Sequence, residues 1–251
     1  MTGLHVNFHG AGRPLVALHG IGGHGARWRR LAERHLDGFR VLAPDLRGHG
    51  RSPHDAPWDV DTHVADLLAA LPEERFDLVG HSYGGMIAVH LARAAPERVR
   101  RLVLLDPGIG LDPAHARRSA GRYLRDLSFA DPAEARAERA RGWAEAAPEA
   151  VDAEVADHLE QGADGRWRWR YERAAVVTAF SEMARPAATP PREVPTLLVV
   201  ATRAGVVRPA YVTACRAAVA DFAAAELDAG HMLYLDRPEE TATLIRDWLT
   251  P

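Results

Sequence analysis

The sequence predicts an α/β protein in which a mostly parallel sheet, flanked by helices, is interrupted by an all-helical insertion. Short apolar runs alternate with amphipathic stretches as far as residue 106, and the alternation resumes at residue 196. Between residues 111 and 185 no buried-strand run of this kind occurs. Strands separated by single helices of about 10–15 residues form right-handed crossovers, which produce parallel pairing.

The first half supplies four predicted strands, each a short apolar run that ends near a glycine or a proline. Such runs are typical of strands buried on both faces of a parallel sheet. The strands are predicted at 14–19, 39–43, 76–79 and 99–105. Helices are predicted between them at 25–35, 59–71 and 83–95. In the second helix, Val60, Val64, Leu67 and Leu71 recur every three or four residues and therefore share one face.

The second half returns to the same alternation after a proline-rich linker at 186–191. A strand, a helix, a short edge strand and a closing helix are predicted at 196–201, 209–219, 223–227 and 237–249. The segment before the linker is rich in Ala, Arg and Glu, which indicates several amphipathic helices. The predicted organisation is a core at 1–106 and 193–251, with a helical cap and linker at 107–192.

The composition narrows the classes of function. The chain has 251 residues, 47% hydrophobic and 26% charged, as in an ordinary globular protein. All 31 basic residues are arginine, which excludes lysine chemistry such as Schiff-base formation. The single cysteine, Cys215, excludes an intrachain disulfide and is expected to be a small core residue.

The net charge and the first residues of the sequence predict the cellular location of the protein and the kinds of partner it binds. A net charge of −3 gives no general attraction for nucleic acid or anionic membranes. No apolar run reaches the roughly 18–20 residues of a membrane span, and the first residues do not form a signal peptide. We therefore expect a cytoplasmic protein with a small-molecule substrate and no nucleic-acid or membrane partner. The sequence leaves the oligomeric state open.

A first glycine motif lies at residues 20–25, where GIGGHG fits G-x-G-x-x-G after a predicted strand. An acidic residue, Asp45, follows the next strand, as in dinucleotide-binding proteins. Taken alone, this motif would indicate an NAD-dependent enzyme. Glycine-rich turns between a strand and a helix are also common, so a tight turn is the alternative.

A second glycine motif, GHSYG at residues 80–84, fits G-x-S-x-G between a predicted strand and a predicted helix. In this context a sharp turn exposes Ser82 at the start of the helix. The helix dipole and the free amides of the first turn favour a developing negative charge there. A serine hydroxyl in such a place becomes a nucleophile once a base removes its proton.

These and two further motifs resemble the α/β-hydrolase superfamily, specifically its esterase- and lactonase-like serine hydrolases with a helical cap. HGIGG at 19–23 resembles the oxyanion loop, and PDLRGHGRS at 44–52 resembles the D-x-R-G-x-G-x-S loop. GHSYGG at 80–85 resembles the nucleophile elbow, and the dipeptide at 230–231 resembles the histidine site. The motifs occur in the family's order. They favour an oxyanion loop over dinucleotide binding for the first glycine motif.

The resemblance implies an α/β-hydrolase sheet and a catalytic triad in which Ser82 is the nucleophile and His231 is the base. The backbone amides of Ile21 and Tyr83 would form the oxyanion hole. No cofactor is implied, and no residue spacing suggests a metal site.

Two polar residues of the 44–52 loop are expected to have a structural role. Asp45 and His49 lie within the D-x-R-G-x-G-x-S resemblance. We expect them to organise this loop rather than to take part in the reaction.

The acid of the triad is where the chain departs from the family. The family usually carries an aspartate after the strand that follows the cap, but this chain has Ala204 there. Asp106 ends the strand next to the nucleophile strand, and some family members carry their acid after that strand. The alternatives are that no acid exists, through natural loss or an engineered Ala204, or that Asp228 replaces it. A triad without its acid loses several powers of ten in rate.

The cap is expected to roof the pocket with apolar walls, which favours a substrate with an apolar acyl or aromatic part. The candidate wall residues are Phe129, Trp143, Trp167, Trp169, Tyr171 and Phe180, with Trp28 in the core. Packing of the cap on the core is the alternative role for these residues. Arg203 and Arg208 are expected near the mouth, as partners of a substrate carboxylate or as solvated side chains.

The leading hypothesis is a serine hydrolase that cleaves a carboxylic ester, a lactone or a thioester through an acyl-enzyme on Ser82. A C–C bond hydrolase or an acyltransferase on the same fold would show the same motifs. A ligand-binding protein with weak or lost activity is a different class of function, favoured by Ala204. An NAD oxidoreductase is the remaining class.

Overall fold

The computed structural model describes residues 3–250, and this range contains nine strands and ten α-helices. The strands are β1 (Val6–His9), β2 (Arg13–Leu18), β3 (Phe39–Pro44), β4 (Phe76–His81), β5 (Val99–Leu105), β6 (Leu159–Gln161), β7 (Trp167–Trp169), β8 (Thr196–Ala201) and β9 (Phe222–Leu227). The helices are α1 (Arg29–His35), α2 (Val60–Ala70), α3 (Tyr83–Ala94), α4 (Pro113–Tyr123), α5 (Pro132–Gly142), α6 (Pro148–His158), α7 (Arg173–Met183), α8 (Pro209–Ala218), α9 (Leu233–Asp236) and α10 (Pro238–Leu249).

Seven strands form one sheet in the order β1-β3-β2-β4-β5-β8-β9. β1 pairs antiparallel with β3, and the other neighbouring pairs are parallel. The predicted α/β class with a mostly parallel sheet is therefore confirmed. The sequence did not predict β1, because this edge strand is only half-buried and its Phe8 side chain is 63% exposed.

Helices cover both faces of the sheet. In β2, Val16 and Leu18 join the apolar cluster beneath α2, α3 and α8, whereas Leu15 and Ala17 join the cluster beneath α1 and α10. This alternation follows from the two-residue repeat of a strand. Cys215 in α8 is fully buried in the first cluster, as predicted.

Residues 107–192, called the insertion below, lie between β5 and β8 and contain α4–α7 and a β-hairpin. The hairpin pairs β6 antiparallel with β7, so the expectation of an all-helical insertion is wrong. The hairpin turn closes through backbone hydrogen bonds between Gly162 and Arg166 and between Gly165 and Gly162. Trp169 of β7 packs with Phe129 in a small apolar cluster. Three-residue strands are too short to give a periodic signal.

The boundaries of the remaining predicted elements lie within a few residues of the observed ones. The closing helix is preceded by the short α9, which the sequence did not predict. Pro238 occupies the first turn of α10, where the missing amide proton of proline removes no helical hydrogen bond. Within residues 3–250, no helix combines the length and the apolar character that a membrane span requires.

Candidate active site

Three side chains from distant parts of the chain meet at the carboxyl edge of the sheet. Nε2 of His231 lies 2.8 Å from Oγ of Ser82, and Nδ1 of His231 lies 2.6 Å from Oδ2 of Asp106. Both are hydrogen-bond distances. The tautomer that satisfies both contacts donates from Nδ1 to the carboxylate and accepts at Nε2 from the serine hydroxyl. The structure therefore brings together the three residues that the sequence proposed as a triad.

Ser82 occupies a sharp turn between β4 and α3, with a φ of 55° and a ψ of −118°. A Cβ at Gly80 would clash with the backbone of Gly84, and a Cβ at Gly84 would lie 2.5 Å from the carbonyl oxygens of Leu18 and His19. Positive φ in a serine costs on the order of 1–3 kcal/mol, which the surrounding packing must offset. The turn places the hydroxyl at the N-terminus of α3, beside unpaired amides.

Asp106 leaves the sheet beside Ser82. His81 pairs with Leu105 across β4 and β5, so the next residue of each strand emerges at the same edge. Asp106 also has a positive φ, 42°, and its side chain is fully buried. Oδ1 of Asp106 accepts a hydrogen bond of 3.2 Å from the amide of Ala201, which leaves Oδ2 for His231.

The other two explanations for the missing acid do not match the geometry. Asp228 has a side chain that is 84% exposed, and its Oδ1 forms an ion pair with Arg203 at 2.9 Å. Ala204 has no polar side-chain atom, and its amide donates to the carbonyl of Ala201. The carboxylate in contact with His231 is that of Asp106.

His81, the residue before the serine, holds the loop that carries His231. Nε2 of His81 donates to the backbone carbonyl of His231 at 2.7 Å, and the two rings are 4.8 Å apart. Burial holds the pKa of His81 well below its usual range, so the ring is neutral near pH 7. Sequence reasoning missed this contact, although His81 lies within the elbow motif.

The loop at residues 19–22 approaches the serine closely. A Cβ at Gly20 would lie 3.1 Å from Cβ of Ser82. Nδ1 of His19 donates to the carbonyl of Gly20 at 2.8 Å, and its Nε2 accepts from the amide of Leu46 at 2.9 Å. Neither the Ile21 amide nor the Tyr83 amide, the first of α3, donates a hydrogen bond to another described residue. These two amides are therefore available to an external acceptor.

Asp45 organises its own loop, as the sequence predicted. Its Oδ1 accepts from the amide of Gly25 at 2.6 Å, and its Oδ2 accepts from the amide of Arg51 at 2.8 Å. His49 is buried nearby, with Nδ1 3.1 Å from the carbonyl of Arg47, and burial lowers its pKa to about 3. A carboxylate engaged in this way does not face a nucleotide ribose, which argues against dinucleotide binding.

A cavity of about 280 Å³ lies beside Ser82 and His231. Its walls come from both the core and the insertion, and its apolar lining includes Leu111, Trp143, Phe180, Met183, Val206 and Met232. A second cavity of about 410 Å³ shares several wall residues with the first, including Ile21 and Tyr123. The space next to the serine is thus mostly apolar.

The aromatic residues of the insertion divide between the two cavities. Trp143 and Phe180 line the cavity beside Ser82, and Phe180 also lines the second one. Phe129, Trp169 and Tyr171 line the second cavity. Of the candidate wall residues in the insertion, only Trp143 and Phe180 therefore line the cavity beside Ser82.

Two tryptophans that were also considered have packing roles. Trp167 lines neither of these two cavities, and its backbone pairs with Phe129. Trp28 is fully buried and stacks on Tyr234 with ring centroids 4.5 Å apart.

The arginines at the cavity are not the ones that the sequence suggested. Arg203 and Arg208 line neither cavity, and Arg203 forms hydrogen bonds of 2.6 and 2.9 Å with the carboxylate of Glu145. Arg27 and Arg139 line the cavity beside the serine instead. Nothing in their local sequence distinguishes these two from the other arginines, because their position depends on how the insertion packs on the core.

Within residues 3–250, no group of three or more His, Cys, Asp or Glu side chains is placed to hold a metal ion.

The parallel sheet, the sharp turn at the serine and the histidine–aspartate contact define a class of hydrolases. A sequence profile described as the alpha/beta hydrolase family matches residues 15–244. The chain belongs to this family.

Two known proteins similar to this chain are named as a lipase and as a hydrolase. Lipase LipV of Mycobacterium tuberculosis (strain ATCC 25618 / H37Rv) is 43% identical over 99% of this chain and 98% of its own length. A 2-hydroxymuconate semialdehyde hydrolase of Pseudomonas sp. (strain CF600) is 45% identical over only 41% of this chain and 40% of its own length. The chain is therefore a lipase- or esterase-like hydrolase.

Solved structures share the fold. A marine microorganism esterase matches with a TM-score of 0.80 at 23% sequence identity, covering 99% of this chain and 100% of that one. At this identity the likeness concerns the fold alone.

Proposed function

We propose that this protein is a carboxylic ester hydrolase in which Ser82 is the nucleophile and forms an acyl-enzyme. The observation that carries the proposal is the unbroken chain of hydrogen bonds from Ser82 through His231 to Asp106, at 2.8 and 2.6 Å. A serine hydroxyl needs a base within hydrogen-bond reach, and the base needs a group that orients it. Lactones and thioesters undergo the same acyl transfer.

The reaction proceeds in two halves. His231 takes the proton of Ser82 as Oγ attacks the ester carbonyl, and it then gives this proton to the departing alcohol. The amides of Ile21 and Tyr83 hold the oxyanion of the tetrahedral intermediate. Water then attacks the acyl-enzyme, with His231 again as base, and releases the carboxylic acid and Ser82.

Asp106 orients the base in this scheme. Its carboxylate accepts the Nδ1 proton of His231, which leaves Nε2 free to receive the serine proton. The negative charge also stabilises the imidazolium that forms during each half-reaction. The acid after β5 thus replaces the family's usual acid, whose place Ala204 occupies.

The insertion acts as a cap in this proposal. The cavity at Ser82 has core residues such as Val206 on one side and Trp143, Phe180 and Met183 from the insertion on the other. An apolar acyl chain or an aromatic ring fits walls of this kind.

The experiment is labelling with a fluorophosphonate, combined with hydrolysis of p-nitrophenyl butyrate. We expect stoichiometric labelling at Ser82, and Ser82→Ala lowers kcat by at least about 10³-fold. The matched control is Ser119→Ala, because Ser119 lines the same cavity and its Oγ lies 3.5 Å from Nε2 of His115. This control keeps both labelling and activity.

Two results would contradict the proposal. Labelling at Ser119 would show that the nucleophile lies in the insertion and is not Ser82. A folded wild-type protein that neither reacts with the probe nor hydrolyses the ester would support the ligand-binding class instead.

Hydrolysis of a C–C bond is a second candidate, favoured by the partial match to a 2-hydroxymuconate semialdehyde hydrolase. The same serine–histidine pair would serve it. Incubation with 2-hydroxymuconate semialdehyde, followed by the loss of its absorbance, separates this activity from ester hydrolysis. If the protein is an acyltransferase, an added alcohol should accept the acyl group from Ser82 and p-nitrophenol should be released faster.

A further inference from the structure

A buried group of charges lies where the insertion meets the core. Glu154 of α6 has a side chain that is 1% exposed. Its Oε2 accepts a hydrogen bond of 2.8 Å from Nε of Arg27 and lies 3.0 Å from Nε2 of His24. Its Oε1 accepts one of 2.5 Å from Nη2 of Arg27. Arg27 therefore holds both carboxylate oxygens, which satisfies Glu154 without further help.

A second arginine lies beside this pair without a hydrogen-bond partner of its own. Nη2 of Arg139 is 3.6 Å from Oε1 of Glu154, beyond a good hydrogen bond. Nε of Arg139 is buried and has no hydrogen-bond partner among the described residues. The guanidinium lies over the rings of Trp169 and Trp143, at 4.2 and 5.0 Å from their centroids. The aromatic faces attract the cation but do not neutralise it.

The group therefore carries a surplus positive charge. Two guanidinium groups, Arg27 and Arg139, face one carboxylate, that of Glu154. The stacked His158 adds no compensating charge, because burial holds its pKa well below its usual range and keeps the ring neutral. Glu138 lines the second cavity together with Arg139, but it is exposed to solvent and forms no ion pair with Arg139 within residues 3–250, so water screens its charge. Burial lowers the pKa of Arg139, although arginine remains charged in proteins.

The surplus charge faces the proposed reaction space. Both Arg27 and Arg139 line the cavity that contains Ser82 and His231. The side chain of Arg139 is 17% exposed, enough to meet a ligand and too little to be fully hydrated. A cation in a partly dehydrated wall interacts strongly with an anion that enters the same space.

We propose that the cavity binds esters whose acyl chain carries a carboxylate, with Arg139 as the partner of that carboxylate. This inference rests on the proposed ester hydrolysis at Ser82. A planar guanidinium matches a carboxylate in geometry, and one surplus charge matches one monoanion. The apolar residues Leu111, Phe180 and Met183 line the same space and suit a methylene spacer. The substrate class is thus the monoesters of dicarboxylic acids.

The experiment compares kcat/KM for monoethyl esters of succinic, glutaric, adipic and suberic acid with neutral ethyl esters of the same chain length. We expect the wild-type protein to prefer the anionic ester at least tenfold, about 1.4 kcal/mol, at one or more lengths. Arg139→Met brings this ratio close to one, and Arg139→Lys restores part of it. The matched control is Arg141→Met, since Arg141 lies exposed on the same helix and lines neither cavity.

A second measurement needs no variant of Arg139. Adipic acid monoamide, a monoanion, should inhibit wild-type hydrolysis of p-nitrophenyl butyrate competitively, at concentrations at least tenfold lower than the neutral diamide, adipamide. Salt should weaken this inhibition. Equal inhibition by the monoamide and the diamide would overturn the proposal, as would equal kcat/KM for charged and neutral esters at all four lengths.

The two proposals fail in different ways. Hydrolysis of neutral esters without any preference for the anionic ones overturns the carboxylate site and leaves Ser82 as nucleophile. If no ester is hydrolysed, calorimetric titration of the folded wild-type protein with adipic acid monoamide and with neutral adipamide decides the binding question. Tighter binding of the monoamide supports the carboxylate site even then, and equal binding overturns it.

Discussion

Two buried carboxylates, Asp106 and Glu154, each contact a histidine, yet their surroundings differ. Asp106 meets His231 and one backbone amide, and no arginine in residues 3–250 forms an ion pair with it. Glu154 meets His24 but is also held by Arg27 through two hydrogen bonds. Burial alone would raise the pKa of the Glu154 carboxyl, but Arg27 holds it well below its usual range.

In the proposed mechanism, this difference separates a reactive pair from a structural one. A carboxylate with a permanent cation has its charge neutralised, whereas one without such a partner still stabilises a histidine that gains a proton. No arginine within residues 3–250 pairs with the carboxylate of Asp106, so its charged partner in the proposed reaction is the protonated His231. Glu154 fastens the insertion to the core and leaves a positive surplus at the same cavity.

The largest expected effect comes from removing the charge of Asp106. Asp106→Asn should lower kcat for p-nitrophenyl butyrate by about 10⁴-fold. The Asn oxygen would accept from the Ala201 amide, so its NH2 group would donate to Nδ1 of His231 and hold the ring in the wrong tautomer. The control Asp228→Asn removes an exposed carboxylate three residues before His231 and should leave kcat within twofold. Unchanged hydrolysis by Asp106→Asn would show that the two carboxylates do not differ in the proposed way.

The second effect concerns stability rather than rate. Glu154→Gln should lower the free energy of unfolding by about 3–5 kcal/mol, because Arg27 and Arg139 are left without a buried counter-charge. Urea denaturation at pH 7 measures this change. Glu149→Gln on the same helix is the control, since Glu149 is exposed and should change stability by less than about 0.5 kcal/mol. Equal losses in the two variants would contradict the structural role of Glu154.

The third effect is a dependence of stability on pH. Burial lowers the pKa of His49 to about 3, that of His63 to about 4, and that of His158 well below 6.5. Below pH 6.5 the unfolded chain binds protons that the folded chain does not, so stability falls as pH falls. Each such histidine contributes a slope of up to about 1.4 kcal/mol per pH unit. Urea midpoints at pH 7, 6 and 5 should show a smaller slope in His158→Gln, and an identical slope would contradict a neutral His158.

The smallest effect tests the role of burial. Glu145, like Glu154, contacts two arginines, Arg203 at 2.6 Å and Arg237 at 3.0 Å, but its side chain is 34% exposed. Water and salt screen such contacts, so Glu145→Gln should lower the urea midpoint far less than Glu154→Gln does. The same urea assay measures it. A loss as large as that of Glu154→Gln would mean that burial does not explain the contrast.

The core of the fold was predictable because its strands are continuous apolar runs and its helices carry one apolar face. The edge strand β1 escaped prediction because it is half-exposed and short. The hairpin of the insertion was not predicted for a related reason. Its strands have three residues each, and their pairing depends on contacts such as that of Phe129 with Trp167, which no local pattern reveals.

In the site, too, residues within a local sequence motif could be predicted, whereas residues placed by contacts between distant segments could not. Ser82 lies in a local motif whose glycines are required by the turn, so the sequence predicted its position. Asp106 remained one of several options, because its contact with His231 depends on two strand ends emerging side by side. Arg27 and Arg139 could not be predicted, since their shared cavity exists only after the insertion packs on the core.

The placement of the acid also bears on the order of folding. Ser82 and Asp106 both belong to the unit β4–α3–β5, whereas His231 joins Asp106 from 125 residues further along the chain. Closing a short loop costs less entropy than closing a long one, so we expect contacts within one strand–helix–strand unit to form before the distant contact with His231. The reactivity of Ser82 towards a fluorophosphonate should therefore report when His231 reaches Ser82 and Asp106 during refolding. During refolding it should recover later than the far-ultraviolet circular dichroism.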